Sequence, residues 1–468
     1  MELLNNIVGV VNDALYTYIL IIFLVVGGLY FTIRTKFVQF RLFGDQVRAV
    51  TEKPDENGVS SFQALMVSTA SRVGTGNIIG VSTALCLGGF GSVFWMWLIA
   101  ILGGASAFIE STLAQIYKRR GKTESYGGPA YYIETVIKSR PLAIAFSIFL
   151  ILTYGIGFNM LASYNLQSTF ASYSFYNASV TPWIIGFVLA VLVGFCLFGG
   201  GKRIIKTTSL LVPFMGVAYI LVAILITLFN VGTLPAVFSR IFTEAFDFKA
   251  IFGGFTGSCV MYGIKRGVFS NEAGVGSAPN ASASAEVSHP VKQGLVQVLS
   301  VFIDTILVCT ATAFMCMCSG VEPSAEISGA AYVQASLSAT LGAFGPIFIT
   351  AAMMLFAFTT LLGNLYYVDK TFFFMFRKEP PKSFMYVYYV VASLLIFVGA
   401  GLTADLLWGI ADITMGGMTL INIPVILILS KYAIAALDDY CKQKKAGKNP
   451  KFLAKNIGLP HKTDYWNE

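Results

Sequence analysis

Apolar stretches of about 20 residues, long enough to cross the hydrocarbon core of a bilayer, recur along this whole chain. Eleven can be bounded, at 8–33, 62–87, 94–116, 141–161, 182–198, 209–229, 251–273, 294–318, 344–376, 384–402 and 406–429. Charged residues make up only 12% of the sequence, against about 25% in soluble domains. In lipid a backbone must satisfy its own polar groups, which leaves helices for segments this long and this uniformly apolar. The chain is therefore expected to be an all-α polytopic membrane protein with 11 transmembrane helices. Its net charge of +8 then reads as topology, not as a nucleic-acid footprint.

The basic residues sort by loop. With the N-terminus outside, 26 of the 32 Lys and Arg residues fall in inner loops or the tail. Only Arg240 and Lys249 fall in outer loops, and Arg72, Lys265, Arg266 and Lys370 lie within spans. One helix more or fewer would scramble this pattern, so the expected topology is N-out and C-in. Segments 125–137, 233–248 and 328–341 are long enough for short helices outside the spans. The tail from Lys442 is basic and polar, and is expected to be disordered beside anionic lipid. Residues 1–12 lack the basic start of a signal peptide.

Two spans are anomalous. Residues 68–80 read Ser-Thr-Ala-Ser-Arg-Val-Gly-Thr-Gly-Asn-Ile-Ile-Gly, in the middle of the second span. Glycine costs about 1 kcal/mol against alanine in a helix, and a charge near the bilayer centre costs at least ~2.5 kcal/mol. A helix broken near 73–76 accounts for both. Residues 253–277, in the seventh span, are equally rich in glycine and hydroxyls, with a second break expected near 254–259. Tight packing through small residues is the alternative, but Arg72 and Asn77 have no place on a pure packing face. The breaks lie five spans apart, so spans two to six and seven to eleven form a 5+5 inverted repeat behind one accessory helix. Paired breaks at matching positions point to a transporter binding site.

Where a helix breaks, the forward half presents free N–H groups and the preceding half free carbonyls. Amides near Thr75, Gly76 and Asn77 suit a carboxylate. Carbonyls near Ala70, Ser71 and Val73 suit a cation such as Na+. The second break, near Gly257, Ser258 and Cys259, adds carbonyls for an α-ammonium. One site thus fits an amino acid beside a small cation. In the ninth span Thr360 and Asn364 share a helix face, and Thr359 adds a hydroxyl that could equally bond back to its own helix. Ser71 and, from the fourth span, Phe158 complete the expected lining.

Lys265, Arg266 and Glu272 follow the expected second break and read as ion pairs of an inner gate. Arg72 and Asp304 lie deeper, and a mutual pair, or pairing with carbonyls, is the default expectation. Glu110 reads as interfacial. The seven cysteines are scattered and, Cys441 apart, lie in or beside apolar segments, as small buried hydrophobes do. With two histidines and no nucleophile–base pair or metal cluster in view, an enzyme is disfavoured. A channel or a transporter-like sensor is the rival class.

Five motifs carry a resemblance. They are Ser-Ser-Phe-Gln-Ala-Leu from Ser60, Arg-Val-Gly-Thr-Gly-Asn-Ile from Arg72 and Gly-Gly-Pro-Ala-Tyr-Tyr from Gly127. The longest is Lys-Arg-Gly-Val-Phe-Ser-Asn-Glu-Ala-Gly-Val-Gly-Ser-Ala-Pro from Lys265, and His-Pro-Val-Lys-Gln-Gly from His289 follows it. Together they resemble the alanine/glycine:cation symporters of prokaryotes over nearly the whole chain. The resemblance implies a leucine-transporter-type fold with one extra helix, and Na+- or H+-coupled uptake of small neutral amino acids. It implies carboxylate contacts at Thr75, Gly76 and Asn77, and a pocket lined by Thr360. It also implies a sodium site made by Thr359, Thr360 and the carbonyls of Ala70 and Val73. Many carriers of the family have Trp where this chain has Asn364, which keeps a larger or more polar substrate open, glutamine in particular.

The expected organisation is an accessory helix and basic cytoplasmic loop (1–60), a first repeat (61–230), a second repeat (231–434) and a cytoplasmic basic tail (435–468). The expected partners are a small neutral amino acid and membrane lipid, without nucleic acid. A monomer is favoured over an obligate oligomer, in the plasma membrane of a prokaryote.

Overall fold

The computed structural model describes residues 8–12, 14–52, 58–122, 124–247, 251, 258–460 and 463–467. In chain order the main helices are α1 (Ile21–Arg34), α2 (Phe43–Val50), α3 (Ser61–Arg72), α4 (Gly76–Gly88) and α5 (Ser92–Ile116). They continue with α6 (Arg140–Ser172), α7 (Thr181–Leu197), α8 (Gly200–Phe229), α9 (Leu234–Ala245) and α10 (Cys259–Asn271). The last five are α11 (Pro290–Met317), α12 (Ala330–Leu341), α13 (Phe344–Phe376), α14 (Lys382–Gly399) and α15 (Ala404–Lys445). Seven of these, α5, α6, α8, α11, α13, α14 and α15, are long and apolar enough to cross a membrane, and α1, α4 and α7 are shorter apolar helices. Among the described residues the only strand-like pairings are two isolated bridges, Val59 to Ala285 and Arg119 to Tyr126.

Burial separates centre from periphery. From Leu102 to Ile116 every residue of α5 is buried. α8 and α14 instead expose large apolar residues such as Leu210, Phe214, Val387 and Leu394, the surface that lipid would cover.

Several polar residues of the broken segment are met by one neighbour. α3 opens with a capping box between Ser60 and Gln63 and runs beside α11. Gln293 donates to Ser61 at 2.8 Å, Gln297 donates to Ser68 at 2.9 Å, and Ser300 meets Thr69 at 3.2 Å. Positions 293, 297, 300 and 304 recur at helical spacing, so they form one stripe along α11. Arg72 pairs with this stripe, donating from Nη1 to Gln297 Oε1 at 2.9 Å. The expected Arg72–Asp304 pair is not formed; Asp304 is taken up by Asn77, Ser270 and Thr305. Glu110 is fully buried, not interfacial, and accepts from Asn422 at 2.8 Å.

α13 crosses the break at the closest possible approach. A Cβ added to Gly74 would lie 2.1 Å from Thr360 Oγ1, so only glycine fits there.

The segments expected as short helices contain Pro129–Tyr132, α9 and α12. The tail departs from expectation, because several of its described residues are packed. Phe452 N–H donates to Ser288 O, Ser288 Oγ donates to Pro450 O, and Trp466 Nε1 donates to Gln115 O at 2.9 Å. Asp464 pairs with Arg119 at 2.8 Å. The tail thus ties the C-terminal extension of α15 to the basic ends of α5 and α11.

His289 is fully buried under this strap, with edge contacts to Tyr440 and Phe452. Its Nδ1 accepts the Val291 N–H at 3.3 Å, and Nε2 lies 3.3 Å from Asp439. Both nitrogens are satisfied in the neutral form, and burial, with Lys292 nearby, pushes the pKa down to about 3. A base held neutral in the fold stabilises it above its unfolded pKa of about 6.5, and that stability is lost as pH falls from there towards 3. Melting curves should therefore show the wild type losing more stability between pH 6.5 and 4 than His289→Asn, which supplies a capping oxygen in place of Nδ1. Equal pH slopes would contradict a neutral, buried His289. Gly74→Ala should lower the melting temperature by several degrees through an overpacking cost of ~1–3 kcal/mol. Adding Thr360→Ala, which removes the clashing oxygen, should restore part of it.

Candidate functional site

The first break is built by one side chain. α3 ends at Arg72, Val73 leaves the helix at φ −76°, ψ 88°, and α4 begins at Gly76. Asn77 closes the gap: its Oδ1 accepts the Gly74 N–H at 2.8 Å, while its own N–H donates to Gly74 O at 3.1 Å. Its Nδ2 donates to Asp304 Oδ1 at 2.7 Å and Ser270 Oγ at 3.1 Å. Two consequences follow. The Asn77 N–H, expected to meet a carboxylate, is already used, which leaves the N–H groups of Thr75 and Gly76 at the start of α4. The Gly74 N–H, which in a continuous helix would serve the Ala70 carbonyl, is diverted. That carbonyl is left without its usual donor, and Val73 O lies outside the helix altogether.

A small cavity faces this break. Gly74, Thr75 and Gly76 line one side, Phe158 and Leu161 of α6 and Phe269 of α10 the other, with Ser71, Arg72 and Thr360 between them. Its volume is about 10 Å³, room for about one water. Thr360 Oγ1 is buried here with no hydrogen-bond partner among the described residues. Thr75 Oγ1 accepts from Asn165 Nδ2 at 3.0 Å.

Aromatic rings roof the cavity. Phe158 and Phe269 lie 4.5 Å apart, and Phe269 lies 4.7 Å from Trp408. Beyond them, away from the basic face, opens a vestibule of about 460 Å³. Here Lys265 Nζ meets Asp412 at 2.9 Å, Arg266 Nη1 meets Asp412 at 3.5 Å, and the Arg266 guanidinium covers Trp408 at 3.9 Å. Lys265 and Arg266 therefore guard the vestibule, not an inner gate.

A described interruption follows these residues in the chain. α10 starts at Cys259 and ends at Asn271, Glu272 turns left-handed at φ 54°, and Gly274 and Gly276 follow at φ 83° and 90°. The described interruption thus spans 272–277. Gly257 and most of the 254–259 stretch lie outside the described residues. Ser258 caps α10, and Cys259 Sγ lies 3.4 Å from Glu244 O. Neither residue reaches the cavity.

From the ninth span, Asn364 sits behind the lining. Ser71 Oγ lies 2.6 Å from Asn364 Oδ1, and Asn364 Nδ2 donates to Asn159 at 3.0 Å. The Thr359 hydroxyl bonds back to Leu355 O at 2.9 Å and lies 3.4 Å from Met215 Sδ, outside the lining of the cavity. Sequence reasoning missed Asn159, Asn165, Phe269 and Ser270. Only Phe269 and Ser270 carried a signal, immediately before the Asn-Glu-Ala-Gly turn.

Residues 1–454 match the profile of the sodium:alanine symporter family. The probable sodium/glutamine symporter GlnT of Bacillus subtilis (strain 168) is 43% identical, with 96% of this chain and 94% of that protein covered. The sodium/alanine symporter AgcS of Methanococcus maripaludis is 36% identical, with 92% and 96% covered. The crystal structure of MhsT in complex with L-phenylalanine shares the fold, with a TM-score of 0.55 at 15% identity over 82% of this chain and 99% of that one. A leucine-transporter-type architecture is thus joined to a family-wide sequence match. The chain belongs to the sodium:alanine symporter family, whose members are membrane-embedded transporters of amino acids with Na+, not enzymes.

Proposed function

We propose that this chain carries a small neutral amino acid, alanine or glycine, into a prokaryotic cell through the plasma membrane, driven by Na+. The observation that carries the reading is the cavity between Thr75–Gly76 and Thr360, roofed by Phe158 and Phe269 and reached from the charged vestibule. The Thr75 and Gly76 amides sit at the positive end of α4, which favours a carboxylate. Na+ is a co-substrate held by the Ala70 and Val73 carbonyls with the Thr359 and Thr360 hydroxyls. The orphaned Thr360 oxygen and the diverted Gly74 N–H support this donor set. H+ is the alternative driving ion, as the name of one relative, the putative sodium/proton-dependent alanine carrier protein YrbD, suggests.

Eleven spans fit the helices when α3 with α4, and α10 with the turn at Pro279–Ser282, each count as one broken span. The accessory helix (1–60), two repeats (61–230 and 231–434) and the tail (435–468) follow from that count. The basic face is then cytoplasmic, with the N-terminus outside and the C-terminus inside, and a monomer suffices for the site.

A second reading, glutamine, is favoured by one feature: amide side chains of Asn364 and Asn159 stand directly behind Ser71. GlnT, named for glutamine, is among the relatives. Reconstituted protein in vesicles should take up labelled alanine only under an inward Na+ gradient, and Gly76→Leu should abolish uptake. A Cβ at Gly76 already lies 2.7 Å from the Phe269 ring. Glutamine uptake that alanine does not compete with would replace the alanine reading, and flux indifferent to the gradient would support a channel.

A further inference from the structure

We infer that Glu272 is a positioning residue that ties occupancy of the cavity to the gate on the basic face, acting through Ser71 on one side and Ser277 on the other. The inference rests on the cavity being the substrate site.

Glu272 stands in the left-handed turn that ends α10, almost completely buried. Its two oxygens look in different directions. Oε1 accepts from Ser71 Oγ at 3.1 Å, a residue of the first break that lines the cavity. Oε2 accepts from Ser277 Oγ at 2.6 Å, across the second break. One carboxylate therefore spans both interruptions.

Beyond Ser277 the chain packs against the basic end of α5 and the start of α3. Asn280 Nδ2 donates to Ser277 O at 2.8 Å and starts the short helix Pro279–Ser282. The following residues are pinned to the basic end of α5. Gln115 Nε2 donates to Ser282 O and Ala285 O, and Lys118 Nζ donates to Ala285 O at 2.9 Å. Glu286 N–H donates to Val59 O at 2.9 Å, which fastens the start of α3. Any movement that opens the cavity to the basic face must part these bonds.

The Ser71 hydroxyl has one proton and two acceptors in reach, Glu272 Oε1 and Asn364 Oδ1. Substrate arriving beside Ser71 shifts that proton's choice. Glu272 is held to Ser71 or released from it, and Ser277 moves with it. Coupling of this kind needs an element with two arrangements, and the left-handed turn with its glycines at 274 and 276 supplies one.

The test is hydrogen exchange and transport on the full chain in lipid nanodiscs and vesicles, with Na+ and alanine or glutamine. In the wild type, substrate with Na+ should change exchange of peptides covering 58–65 and 279–286 at least threefold. Ser277→Ala leaves the cavity lining untouched. It should bind substrate within threefold of wild type, lose that exchange response, and turn over at least tenfold more slowly at similar KM. Glu272→Gln, which keeps one acceptor and replaces the other with a donor, should retain an intermediate response. Because the links act in series, Glu272→Ala with Ser277→Ala should be no worse than Glu272→Ala alone. Additive losses, or wild-type turnover and exchange response in Ser277→Ala, would overturn the coupling while leaving the proposed transport intact. Should Glu272→Ala not fold, Ser277→Ala and Glu272→Gln still decide it. A wild type that neither binds nor transports an amino acid removes the cavity reading and this one together.

Discussion

The structure depends on one interrupted hydrogen-bond ladder at membrane depth. Backbone groups freed there cannot be left to lipid, because each would cost several kcal/mol. Asn77 resolves most of the problem by taking the Gly74 N–H and offering its own N–H to Gly74 O. Its remaining amide is anchored to Asp304, which is itself held by Ser270 and Thr305. The break is thus a stapled bend with defined free groups, and those groups face the cavity.

The stripe on α11 extends the same logic along α3. A buried Ser, Gln or Arg needs a partner, and α11 supplies one at each turn through Gln293, Gln297, Ser300 and Asp304. α3 is therefore held to α11 by polar bonds that can part and re-form. A purely apolar seam would pack at one fixed separation. A helix whose seam is polar can move against its neighbour when those bonds find other partners, as a gate must.

The sequence made the first break legible because its composition contradicts its setting: glycines, hydroxyls and a charge inside an apolar run. The interruption at 272–277 was not singled out because Gly274 and Gly276 lie in a stretch that is glycine-rich from 253 onward, and the backbone angles at Glu272, Gly274 and Gly276 mark it. It leaves Lys265 and Arg266 on the vestibule side of the cavity, which no local pattern could reveal. The partner of Arg72 lies 225 positions away, at Gln297, beyond the reach of spacing rules. The tail misled by its charge. Phe452, Tyr465 and Trp466 were the counter-signal, since aromatics in a basic stretch find a surface to cover.

The two faces of the molecule close by different chemistry. Towards the vestibule the barrier is two aromatic rings beneath an ion pair of Lys265 and Arg266 with Asp412. Towards the basic face it is a layer of backbone and amide bonds from Gln115, Lys118 and Val59 to 282–286, with the tail strapped across it. Ring contacts slide at small cost because each atom pair contributes only ~0.1–0.2 kcal/mol. Hydrogen bonds are directional, and a buried one that breaks without replacement costs ~1–3 kcal/mol. The vestibule side must also part the buried Lys265–Asp412 pair, and the basic side, closed by this hydrogen-bonded layer, requires a driving interaction. In a symporter that interaction comes from the bound amino acid and ion. It must reach the inner layer through whatever physically joins the two breaks, which are the Asn77–Ser270 and Ser71–Glu272 bonds.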